Sequence, residues 1–147
     1  MHDLTEQLPV LVYGTLRTGQ SNWRRYLQGR TISERPAIAP DHKMYATNYA
    51  YVTDGPGYYV VGELMEIKPE LYALVMRDLD WLEEYHPLRP DYSLYVRVQR
   101  EVHVVLDQCH EARCAWIYHL NPRRLSAFSA ADLVPHGDWL RHCGFDR

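Results

Sequence analysis

The sequence predicts an α+β fold built on a curled or closed sheet. Strand-like apolar runs of uneven length dominate the chain, arranged around two short helices. No repeat, linker or low-complexity segment divides the 147 residues. That length suits one domain with a real core, covering 1–147, and is too short for two comfortable ones.

Taken in order, residues 9–13 form an apolar, β-branched run that reads as a buried strand and stops at Tyr13-Gly14. The following Thr15-Leu16-Arg17-Thr18-Gly19-Gln20 is small, hydroxyl-rich and punctuated by glycine, so it predicts a loop. A strand ending in such a loop presents backbone N–H groups to whatever lies above it, a natural holder for a carboxylate or an oxyanion. Ser21 or Asn22 then caps a short helix with Trp23, Tyr26 and Leu27 on one side. The glycine spacing fits neither a dinucleotide fingerprint nor a P-loop.

Residues 30–40 alternate weakly and contain two prolines, which suits an edge strand or an irregular crossover. Two aromatic and β-branched runs, 44–53 and 57–67, flank Asp54-Gly55-Pro56-Gly57, which predicts a hairpin turn. Gly62 implies a bulge or the close approach of another backbone. Lys68-Pro69-Glu70 opens a helix and His86-Pro87 ends it. A long strand over 92–106 follows, then a polar turn, a returning strand over 113–120, and a short helical piece at 138–142.

Composition excludes several classes. Hydrophobic residues make up 46% and charged residues 24%, ordinary values for a soluble globular protein. A net charge of −3 argues against nucleic-acid binding, which needs a clustered basic excess. No apolar run is long enough for a bilayer, and residues 1–6 lack the basic-then-apolar order of a signal peptide. Three cysteines without a disulfide framework's spacing point to a reducing, cytoplasmic setting. The group His103, Cys109, His110, Cys114 and His119 fits no closed four-ligand zinc site, so no metal is expected from it.

The helix at 69–85 carries the most informative residue. At about 100° per residue, with Leu79 at zero, Leu71, Tyr72, Val75, Met76 and Leu82 fall within roughly 80° and make the inward stripe. Glu83 falls at roughly 40°, inside that stripe, while Glu84 points away and Asp80 sits at its flank. An inward carboxylate is costly and has either a partner, with Arg97 the nearest suggestion, or a task. Desolvation and the negative end of the helix should raise its pKa, as a general acid/base near neutral pH requires.

Tyr13-Gly14-Thr15-Leu16-Arg17-x-Gly19-x-x-Asn22 after an apolar strand resembles the signature of the γ-glutamylcyclotransferase-like (AIG2-like) family. Val61-Gly62-Glu63-Leu64, Leu79-Asp80-Trp81-Leu82-Glu83-Glu84-Tyr85, Tyr95-Val96-Arg97, Ala115-Trp116-Ile117-Tyr118 and Gly137-Asp138-Trp139 are similar to further landmarks in the same order. Glu84 stands where that family usually has glycine. The resemblance implies a small mixed β-barrel with flanking helices and places Glu83 at the catalytic glutamate. It further implies cleavage of a small-molecule γ-glutamyl amide to 5-oxoproline, with no cofactor. In that reading backbone N–H groups of Gly14, Thr15 and Leu16 hold the substrate, and Tyr13 and Tyr118 line its pocket. The rival readings are a module that binds such a ligand without turnover, and a structural protein whose inward glutamate is one half of an ion pair.

Overall fold

A computed structural model describes residues 7–144. The leader reading of residues 1–6 therefore lies outside the described residues. Strand β1 is Val10–Val12, and helix α1 is Ser21–Tyr26. A long pair of strands follows, β2 at Thr31–Ala46 and β3 at Ala50–Ile67. A 3-10 turn at Pro69–Leu71 leads into helix α2, Tyr72–Leu82. Then come β4 at Tyr95–Val105, β5 at His110–Leu120, the two-residue β6 at Leu133–Val134 and helix α3 at Trp139–His142.

The strands lie in the order β3-β1-β5-β4-β2-β6, and β2 pairs back onto β3, so the mixed sheet curls into a ring. Among the described residues, only β1 and β5 pair in parallel. The α+β expectation holds: α2 covers the outside of the ring, while α3 packs Trp139 and Leu140 against its inner cluster. Alternation along β1 divides the core between two sides. Leu11 and Tyr13 face the inside of the ring with Ala39, Met44, Val52, Leu64, Val104 and Ile117. Val10 and Val12 face outward, where Val75, Met76 and Leu79 of α2 cover them together with Leu16 and Leu27. The inward stripe predicted for α2 is this second contact. Gly62 answers to its predicted close approach, since a Cβ there would stand 2.1 Å from the Val12 carbonyl oxygen.

Two expectations fail in the β2–β3 hairpin. Asp54-Gly55-Pro56-Gly57 is no hairpin turn: it lies inside β3, and the chain reverses at residues 47–49 instead. The register passes from His42 opposite Asp54 to Pro40 opposite Tyr59, so Asp41 alone faces residues 55–58. The turn-forming residues are spent on this bulge, with Gly57 at φ +87° and its N–H on the Asp41 carboxylate at 3.2 Å. Residues 30–40 are likewise no edge strand or crossover. They form the first half of β2, which pairs with β3 along its length and with β4 and β6 on its other side. Its second proline, Pro40, abuts the bulge, a position where a strand tolerates proline.

Candidate active site

A cleft of about 370 Å³ opens where the end of β1, the β2–β3 turn and the end of α2 converge. Tyr13, Gly14, Thr15 and Leu16 form one wall, Tyr49, Ala50, Tyr51 and Trp139 another, and Leu82, Glu83, Tyr95 and Tyr118 a third. All six residues singled out from the sequence line this one space.

The loop after β1 is held from both ends. The Gly14 carbonyl accepts the N–H of Arg17 at 3.0 Å, and the Thr15 carbonyl accepts those of Asn22 and Trp23 at 3.1 Å each. This corrects the predicted cap. Gln20 is the cap residue of α1 and makes no side-chain cap bond, because the Thr15 carbonyl already satisfies the first free N–H groups. The Asn22 amide instead donates to the Thr15 hydroxyl at 2.7 Å. In a trans peptide the N–H points opposite to the C=O, so these commitments turn the Thr15 and Leu16 N–H groups the other way. Among the described residues, neither N–H donates to a backbone carbonyl.

Beneath the loop lies a clamp that sequence reasoning left without a role. Buried Arg17 meets Glu63 at 2.8 Å and Asp138 at 2.9 Å. The Thr18 N–H donates to the other Glu63 oxygen at 2.9 Å, and Asp138 also caps α3 through the Leu140 and Arg141 N–H groups. One guanidinium thus ties the loop to β3 and to the helix that brings Trp139 into the cleft. All three residues sit in the family-like motifs, and that was the only available signal.

Glu83 sits one residue past the last turn of α2, as its C-cap, rather than within that turn. Glu84 follows at φ +53°. Its N–H bonds to the Trp81 carbonyl at 3.2 Å, and the Tyr85 N–H bonds to the Asp80 carbonyl at 2.9 Å. These two bonds make a Schellman ending, whose left-handed residue is ordinarily glycine. Glu84 adopts the same turn despite its side chain, and the turn leaves Glu83 aimed into the cleft.

The Glu83 carboxyl makes no hydrogen bond or ion pair among the described residues. Arg97, its suggested partner, pairs with Asp80 at 3.2 Å and lies over the Trp116 ring at 4.5 Å. Burial, and then the charge of Glu84, push the Glu83 carboxyl up to about 8. Of the five tyrosines that line the cleft, three have hydroxyls committed elsewhere. Tyr13 donates to the Tyr118 carbonyl at 2.6 Å, Tyr95 to the Ala50 carbonyl at 2.9 Å, and Tyr118 to Asp80 at 2.6 Å. Burial also holds the Tyr13 and Tyr118 hydroxyls well above the usual tyrosine range, so they stay neutral. The cleft therefore offers the unpaired, poorly solvated Glu83 carboxyl, a set of aromatic walls, and a loop whose Thr15 and Leu16 N–H groups are not spent on backbone carbonyls among the described residues.

The other groups weighed from the sequence do not meet. Cys109, Cys114 and Cys143 are free and exposed. His103 and His110 lie near each other on the surface, while His119 turns inward to His42. Among the described residues, no helix is long and apolar enough to cross a membrane.

Residues 10–141 match the family model described as "Gamma-glutamyl cyclotransferase, AIG2-like". The chain is 29% identical over 136 residues to "Putative gamma-glutamylcyclotransferase MJ1514" of Methanocaldococcus jannaschii, covering 92% of this chain and 98% of that one. Its fold is similar to that of an AIG2-like protein from Mus musculus, with a TM-score of 0.61 at 20% identity, over 90% of this chain and 87% of that chain. It is also similar to the uncharacterized protein PH0828 from Pyrococcus horikoshii, with a TM-score of 0.59 at 18% identity, over 94% of each chain. The match from β1 to α3 spans the donor loop, the clamp and the end of α2, and the chain belongs to the gamma-glutamyl cyclotransferase, AIG2-like family.

Proposed function

We propose that the protein cleaves a γ-glutamyl amide by internal attack, releasing an amine and 5-oxoproline. The observation that carries this reading is the unpaired Glu83 carboxyl in the same aromatic-walled cleft as the loop of Gly14, Thr15 and Leu16. The ionised carboxylate takes a proton from the substrate's α-ammonium. The freed amine then forms a bond to the γ-carbonyl carbon, and the carbonyl oxygen becomes an oxyanion. Thr15 and Leu16 N–H groups are suited to hold that oxygen or the substrate's α-carboxylate. As the amide C–N bond breaks, Glu83 returns its proton to the departing nitrogen, then takes the second proton of the ring nitrogen and passes it to the same amine, which leaves as an ammonium. The ring closes without water, and the carboxyl ends as it began.

Both reacting groups belong to one molecule, so the protein's main task is to fold the glutamyl chain. Orientation of this kind contributes about 7–11 kcal/mol. Tyr13, Tyr95 and Tyr118 have no free hydroxyl for the chemistry and serve as rigid walls. The reaction requires neither metal nor organic cofactor at this site.

The test is a set of γ-glutamyl amides with the acid product identified. A free γ-glutamyl amide should yield 5-oxoproline. Its N-acetyl derivative should not react, because its nitrogen can no longer attack, and an α-linked glutamyl amide should fail because attack would close a three-membered ring. Open-chain N-acetylglutamate from the blocked compound would instead mark an ordinary amidase. Saturable binding with no product from any amide would mark a binding module.

A further inference from the structure

A second group of chemically capable side chains lies inside the ring, apart from the cleft. His42 of β2 and His119 of β5 are both buried, and their Nε2 atoms are 2.8 Å apart. β2 and β5 are not neighbours in the sheet, so this pair reaches across the interior. Asp54 of β3 stands opposite His42 in the register and brings a carboxylate oxygen to 3.8 Å from the same Nε2. The bulge creates the arrangement. Before it, β2 turns Ala37 and Ala39 inward, and after it Met44 and Ala46. The inward set thus changes from odd to even numbers, which brings His42 inside.

We propose that His42, His119 and Asp54 bind a divalent first-row transition-metal ion, with zinc as the probe, which staples β2, β3 and β5 together. Two of the three ligands already have the outer partners that metal ligands characteristically have. His42 Nδ1 lies 2.9 Å from the Pro40 carbonyl, to which it donates, so Nε2 of the neutral ring carries the lone pair. Asp54 is fixed by Arg100, Nε to Oδ1 at 3.0 Å and Nη2 to Oδ2 at 2.8 Å. Each carboxylate oxygen still has a lone pair to give. The side chain of Asp54 is 58% exposed, leaving a fourth position open to water.

The geometry is near what an ion needs. Metal–ligand bonds of about 2.0–2.2 Å in a tetrahedron place ligand atoms about 3.3 Å apart. The imidazoles must open by about half an ångström and Asp54 must close by about as much on His42, and the three ligand atoms, all within 4.8 Å of one another, must draw in around the ion by side-chain rotation. Without an ion, His119 donates its Nε2 proton to His42. With one, that proton moves to His119 Nδ1 and the metal takes its place between the rings. Arg100 opposes the ion's charge, and the Asp54 and Asp41 carboxylates facing His42 offset it.

The test uses the chelator-treated full chain with Cys109, Cys114 and Cys143 replaced by serine, titrated with zinc against a chromophoric chelator. One equivalent should bind and raise the melting temperature. His119→Gln and Asp54→Asn should each weaken binding by more than the roughly 10–100-fold typical of losing an outer partner, and Arg100→Lys by about that amount. The paired change His103→Gln and His110→Gln should leave binding intact. Binding below one equivalent, undiminished affinity in both His119→Gln and Asp54→Asn, or loss of binding with the surface histidines would each overturn the proposal. Arg100→Lys keeps the test decisive if removing His119 prevents folding. None of these readouts depends on turnover at Glu83.

Discussion

Two carboxylate sites in this molecule have opposite fates. Under the β1–α1 loop, Glu63 and Asp138 are saturated by Arg17, backbone N–H groups and a helix end. At the end of α2, the Glu83 carboxyl has no such partner among the described residues. Even Asp80, three residues earlier, is matched by Tyr118 and Arg97. The clamp uses charge to fix a backbone, and the neighbouring site keeps one acid poorly solvated and unmatched. The lesson is that position in the hydrogen-bond network, rather than residue type, separates the acids that brace the fold from the one the proposed reaction uses.

The largest expected break comes from Glu83→Gln, which keeps the shape and removes the proton acceptor. Turnover should fall by about 10²–10⁴-fold with ligand binding retained. Activity within tenfold of the parent would remove Glu83 from its role. The sign with pH follows from a folded pKa of about 8 against a lower unfolded one. Protonated Glu83 costs nothing below its unfolded pKa, and stability is lost as pH rises through 8. Glu83→Gln should therefore unfold at higher free energy than the parent by roughly 2–4 kcal/mol at pH 9, with no difference at pH 4. In the parent, kcat/KM should climb with pH up to about 8 and then level. The corresponding limb in kcat should lie lower, since a bound ammonium favours the carboxylate.

Breaking the clamp tests the other side. Arg17→Met strands two partly buried carboxylates and should cost about 3 kcal/mol in denaturant unfolding. KM should rise as the loop loses its footing, while the pH limb of kcat/KM stays in place. A shifted limb would mean that the two sites are electrostatically one.

Tyr118→Phe is a smaller cut. It removes the 2.6 Å bond to Asp80, leaves the wall of the cleft, and should cost about 1–2 kcal/mol of stability with less than tenfold loss of kcat. A larger loss would assign the hydroxyl to the chemistry. The mildest change is Glu84→Gly. It relieves a side chain at φ +53° and removes the second cause of the raised Glu83 pKa. A gain of about 1 kcal/mol is expected, together with a kcat/KM limb displaced to lower pH.

The periodicity of α2 made Glu83 legible, because one polar residue in an apolar stripe is visible without any knowledge of its neighbours. The loop was legible for a similar reason: strand, glycine and hydroxyls are consecutive. Arg17, Glu63 and Asp138 were not, since a guanidinium and a carboxylate 121 positions apart leave no spacing to detect. The misplaced hairpin has another cause. Turn chemistry at 54–57 is real, but a bulge uses the same left-handed glycine, and only pairing partners distinguish the two. His42 is hidden by that same bulge, which changes the side of the sheet on which it lies.

The ring's closure has a consequence for how the protein fails. Among the described residues, β2 and β4 pair in the ladder only at Ala37–Val104 and Ile38–His103, and β1 and β5 only at Val10–Trp116, beside the Trp116 N–H to Pro9 carbonyl bond. The β2–β3 and β4–β5 hairpins are zipped along most of their length. Opening should begin at these thin seams, with the hairpins persisting as separate cooperative units. β1 sits on one seam and carries the donor loop, so the cleft should come apart ahead of the sheet. On mild heating, amide exchange at Trp116 should outpace exchange at Val98 and Ile117, and catalytic loss should precede the main melting transition.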